Sequence, residues 1–139
     1  MKYIDTDIMQ ISILSSEVVF ASAREGVRID LGNKQHVYQL ARAYQSIENA
    51  MKNSYGMIID RNSYYSIVPI EAYNSFNDFK RLKAIALVID KERRYFPVEF
   101  EKDLYQGEIE IFETIQQARN WIEKRFRQSG DTVSTGGIH

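Results

Sequence analysis

The side chains in this chain that could do chemistry are few, and they do not converge. His36 and His139 are the only histidines, and there is no cysteine. A metal centre needs His, Cys or carboxylate ligands brought together, and neither histidine has such company in the sequence. No G-x-S-x-G elbow is present to hold a nucleophilic serine. Seven glycines include neither G-x-G-x-x-G nor G-x-x-x-x-G-K-[ST], which argues against the standard phosphate-cradling loops. Glu108 and Glu110 share a spacing of two, which would put both on one face of a strand. Paired acid and base carboxylates need a cleft, and a solvated edge strand accounts for these two. No catalytic residue, cofactor or metal is therefore expected.

Two basic clusters remain, Lys80-Arg81-Leu82-Lys83 and Lys91-Glu92-Arg93-Arg94. They flank an apolar run, Ala84 to Ile89, and so should lie at opposite ends of one strand. The second cluster follows that strand's C-terminal end, where open α/β sheets tend to bind ligands. Arg61-Asn62-Ser63-Tyr64-Tyr65-Ser66 follows the C-terminal end of another apolar run, Met57 to Asp60. If the two strands are neighbours, Arg61, Ser63, Tyr65, Ser66, Arg93 and Arg94 would border one surface for a partner or ligand. Hydroxyls beside arginines also suit anion recognition or phosphorylation. The plainer reading is a turn whose tyrosines cover the sheet edge and whose Ser66 caps a helix at Pro69.

The elements that would position these residues follow from apolar periodicity. Ile8 to Leu14 alternates, with Met9, Ile11 and Ile13 on one face, and Val18 to Ala23 reads as its hairpin partner. Val27, Ile29 and Leu31 alternate through an extended link. Val37, Leu40, Ala41, Tyr44, Ile47 and Met51 mark an amphipathic helix over 34–52, entered through Gly32-Asn33. Met57 to Asp60 and Ala84 to Ile89 suit central parallel strands covered on both faces. Pro69 opens a short helix carrying Ile70, Tyr73 and Phe76. Pro97 should break the segment from Lys91 to Tyr105. Glu108 to Phe112 reads as an edge strand, and Thr114 with Gln117 forms a capping box before a closing helix. Ile115, Ala118, Trp121, Ile122 and Phe126 are its expected buried stripe, and truncating a buried Trp121 would cost roughly 3–5 kcal/mol. The predicted fold is a single open α/β sheet of about five strands, an N-terminal antiparallel hairpin and then parallel strands, with about four helices. It should occupy 8–127, with 128–139 a disordered tail.

Composition sets the outer bounds. A chain of 139 residues suits one domain, and a formal net charge of −1 gives no global attraction to nucleic acid or anionic lipid. No window approaches the roughly 18 apolar residues of a membrane span. Neither a disulfide framework nor a signal-like N-terminus is present, so a cytoplasmic location is expected. Nine tyrosines is a high number, and Tyr3, Tyr55, Tyr64, Tyr65, Tyr95 and Tyr105 fall in or near expected loops.

Taken together, Lys83-Ala-Ile-Ala-Leu-Val-Ile-Asp90, the strand ending at Phe112, the run Gln117-Ala-Arg-Asn-Trp-Ile122, Glu25-Gly-Val27 and Ile58-Ile-Asp60 carry a resemblance. Over 8–126 the chain resembles the STAS-like proteins related to bacterial anti-sigma-factor antagonists, particularly the small stand-alone bacterial set. Those antagonists are phosphorylated on a serine in an Asp-Ser-Ser-Gly-type motif. The matching region here reads Ser66-Ile-Val-Pro-Ile-Glu71, without that motif. The resemblance implies a non-enzymatic cytoplasmic module that binds a protein partner. The alternative is a carrier of a small apolar molecule or lipid, held under the Pro97-broken segment. A homodimer would use the hairpin side or a helix face, because Glu108 and Glu110 would repel their mates across a shared edge.

Overall fold

The computed structural model describes residues 3–24, 32–62, 70–93 and 100–136. Six strands form one sheet: β1 (Tyr3–Asp5), β2 (Met9–Ile13), β3 (Val18–Ala23), β4 (Tyr55–Asp60), β5 (Leu82–Val88) and β6 (Glu108–Phe112). Their order in space is their order in sequence. The first three are antiparallel neighbours, and β3 to β6 run parallel. Helix α1 (Lys34–Ala50) links β3 to β4, α2 (Ile70–Asp78) links β4 to β5, and α3 (Ile115–Gly136) closes the chain.

This order dictates the layers. Each parallel crossover steps one strand in the same direction, and right-handed crossovers that never reverse must all lie on one face. Leu40, Ala43, Tyr44 and Ile47 of α1, Tyr73 and Phe76 of α2, and Tyr105 accordingly join one core with Met9, Ile11, Met57, Ile59, Ile85 and Leu87. The opposite side chains of the same strands, Val18, Ile58, Ala86 and Val88, pack with Ala118 and Ile122 of α3. Continuous apolar runs in β4 and β5 follow from this cover on both faces.

Helix termini match the sequence signals. Asn33 Oδ1 accepts hydrogen bonds from the Gln35 and His36 amides at 2.9 and 3.4 Å. Thr114 Oγ1 accepts from the Gln117 amide at 3.1 Å, and Gln117 Oε1 accepts from the Thr114 amide at 3.2 Å, which completes the capping box.

Several expectations are corrected. The open α/β sheet itself is as expected, with Tyr3–Asp5 pairing to β2 as a sixth strand that covers the outer edge of the hairpin. In α1 the buried alanine is Ala43, while Ala41 faces solvent. Tyr55, expected in or near a loop, opens β4 at 0% exposure, while Tyr105 lies between elements as expected and is buried. Ile115 is 42% exposed, so the stripe of α3 begins at Ala118. Trp121 is half-buried, its ring tilted against Phe112 of β6 at 5.4 Å with the Arg125 guanidinium over it. Ile122, fully buried, carries the centre of the interface instead. The helix runs on to Gly136 rather than stopping at Arg127, since extending a formed helix costs far less than starting one. The link at 27–31 lies outside the described residues. The edge position of β6 is as expected, and Glu108 and Glu110 are paired within the chain to Arg125 and Lys102.

Small residues under α3 set how close it comes. A Cβ on Gly56 would stand 2.6 Å from Ile122 Cγ2, and Ala84 and Ala86 continue that low floor on β5. Gly56→Val should therefore lift α3 and cost roughly 1–3 kcal/mol through overpacking, read as a lower urea midpoint. An unchanged midpoint would show that α3 does not rest on this floor.

Candidate functional site

Arg61 is the sequence-predicted site residue whose side chain the structure places best, and it does not face solvent. Alternation from Met57 and Ile59 carries it to the face covered by α1 and α2. Its side chain is 1% exposed, with Nη2 donating to Glu101 Oε2 at 2.8 Å. The Tyr73 hydroxyl of α2 donates to Glu101 Oε1 at 2.9 Å. Two opposite charges thus neutralise each other inside the first core, and Arg61 offers no guanidinium to a surface partner. This corrects the expected surface role of Arg61.

The neighbouring strand ends meet as expected. The Arg61 amide donates to the Val88 carbonyl at 2.8 Å, and the Asp90 amide donates to Asn62 Oδ1 at 2.9 Å. A 3₁₀ turn at Lys91–Arg93 therefore starts beside Asn62. Ser63, Tyr65, Ser66 and Arg94 lie outside the described residues, as do Tyr64 and Pro97. The two basic clusters sit at opposite ends of β5, so they do not form one patch.

Among the described residues the parallel strands never reverse order, so the crevice that binds ligands at such reversals is not built there. Among the described residues no three of His, Cys, Asp or Glu gather to hold a metal. His36 stands in the first turn of α1, as expected. No helix among the described residues is long and apolar enough to cross a membrane.

At the other end of the sheet the structure assembles a second buried carboxylate, which sequence reasoning missed. Glu48 of α1 is 6% exposed. The Tyr55 hydroxyl donates to its Oε1 at 2.8 Å, and the Arg81 amide donates to its Oε2 at 3.1 Å. The Arg81 guanidinium stands 3.8 Å from Oε2 and 3.5 Å from the Glu48 carbonyl. Spacing held the signal: Glu48 lies four residues after Tyr44 and three before Met51, on the buried stripe itself. Glu101 had no comparable signal, since its burial depends on a crossover without periodicity.

Burial, reinforced by the hydrogen bond to Glu48, raises the Tyr55 hydroxyl far above the ordinary tyrosine range. Burial, with the Glu48 charge second, pushes Tyr105 up to about 12, and its hydroxyl donates to the Leu82 carbonyl at 3.2 Å. Both hydroxyls therefore remain donors.

Compared with protein-family models, curated proteins and solved structures, the chain matches none.

The raised tyrosines give a pH prediction with a definite sign. An unfolded tyrosine ionises near 10, whereas Tyr105 holds its proton to about 12. The stability the Tyr105 hydroxyl contributes is thus complete below about pH 10 and is lost as pH climbs through about 12. Urea midpoints should fall across that window, and less steeply in Tyr105→Phe. A midpoint equally steep in the variant would contradict the assignment.

Proposed function

We propose that this chain is a non-enzymatic STAS-like module that binds a protein partner through the segment after β4, in a cytoplasmic setting. The observation that carries the reading is where that segment is anchored. Residues 63–69 join two points held by one carboxylate: Arg61 before them and Tyr73 after them both bond to Glu101. Neither anchor can shift without exposing or orphaning a buried charge, which is costly. A binding segment whose flanking residues are fixed loses less conformational freedom on capture than one whose flanks are loose. Asn62 extends the same base toward Asp90 and the turn at Lys91–Arg93, which supports Arg93 and Arg94 as neighbours of the contact surface.

The chemistry of the segment agrees. Ser63, Tyr64, Tyr65 and Ser66 offer hydroxyls and amphipathic rings, the residue types that anchor interfaces at low entropic cost. The resemblance to anti-sigma-factor antagonists supports a regulatory partner, without the phosphorylated motif. A homodimer would fit the helix faces better than the sheet edges, since β6 presents Glu108 and Glu110.

A partner captured from host lysate by the native chain should be lost with Ser63→Ala and Tyr65→Ala. It should be retained with Arg42→Ala, which alters an exposed Tyr38–Arg42 pair on α1. Equal capture by all four proteins would remove the 63–69 segment from the interface.

A further inference from the structure

The two ends of the sheet are built on the same plan and finished differently. At each, a buried glutamate accepts from a tyrosine hydroxyl and from an arginine: Glu101 from Tyr73 and Arg61, Glu48 from Tyr55 and Arg81. The Arg61 side chain is 1% exposed, which seals the first end. The Arg81 side chain is 47% exposed, and beside it opens a cavity of about 440 Å³. Glu48 and Gln45 of α1, Ser75 and Asp78 of α2, and Lys80 and Arg81 line it.

Its charges are balanced, and one pair is closed internally, since the Arg81 guanidinium stands 3.8 Å from Glu48 Oε2; Asp78 and Lys80 remain exposed on its rim. Glu48 and Asp78 come from the last turns of α1 and α2, and neither last turn carries a basic residue. Helix C-termini add a partial negative charge of about half a unit each. That side favours a cation. Lys80 and Arg81 supply positive charge from the approach to β5. A simple anion would meet two carboxylates and two helix ends, and a simple cation would meet two side-chain cations. A molecule carrying both signs a few atoms apart satisfies both sides.

We propose that this cleft binds a small zwitterion of the α-amino-acid type. The ammonium faces Asp78 and the helix ends, and the carboxylate faces Lys80 and the open side of Arg81. Glu48 is held in place by Tyr55, whose raised ionisation keeps it a donor. The cavity volume lies within the range of small-molecule sites. This site lies at the opposite end of the parallel strands from the 63–69 segment, so it stands or falls apart from the partner-binding reading.

The test is a titration of the ¹⁵N-labelled chain with L-alanine and L-glutamine, with sodium acetate and methylammonium chloride as single-charge probes. Saturable shifts confined to amides around Asn49 and Phe79 to Leu82 are expected with the amino acids at millimolar concentration. The single-charge probes should produce far smaller shifts. Asp78→Asn and Lys80→Gln, both exposed positions, should each raise the apparent Kd several-fold with melting temperature unchanged. Lys91→Gln, at the far end of β5, should leave it alone. Absence of saturable shifts with either amino acid would overturn the proposal, as would an equal response to acetate or methylammonium alone.

Discussion

The pair Arg61–Glu101 is the constraint from which the upper half of the molecule follows. Both side chains are almost wholly withdrawn from water, and an isolated charge there would cost several kcal/mol. Each must therefore find the other. Doing so fixes the C-terminal end of β4, the approach of α2 through Tyr73, and the last crossover through Glu101. A hydrophobic core of this size could tolerate small slips between these elements; a buried ion pair cannot, because a slip of one residue on β4 would turn Arg61 to the other face.

Sheet order makes that burial available. Since β3 to β6 advance in one direction, every crossover covers the same face and the cover there is thick. The other face is left to α3. That helix comes close because Gly56 leaves space for Ile122, and its second anchor is the half-buried Trp121 over Phe112. The two faces therefore solve different problems. One hides charge and aromatic bulk, including the edge-to-face contacts of Phe76 with Tyr44 and Tyr73 at 4.8 and 5.5 Å; the other is a thin apolar seam.

Much of the fold was legible because its signals are local. Alternation in β2 and β3, the stripe of α1 and the capping box at Thr114 each lie within one element, and each appears where expected. Strand β1 escaped because three residues are too few to show a period. Trp121 and Ile115 were misjudged because periodicity gives the direction of a face, whereas the width of the seam depends on the floor beneath it. The site was the least legible part. Arg61 reads as a surface loop residue until the parity of β4 is carried one step past its apolar run. Glu101 is buried against partners twenty-eight and forty residues away in sequence, and no local pattern encodes such partners.

Whether Arg61 and Glu101 act as one unit is read from a double-mutant cycle in urea. Arg61→Met and Glu101→Met should each lose roughly 3–5 kcal/mol, because each strands a buried charge. The double variant should fall short of the sum by roughly 1–3 kcal/mol, the coupling energy of the pair. Small losses that simply add would mean that the two charges are stabilised independently, and that Arg61 and Tyr73 are not tied together by this pair.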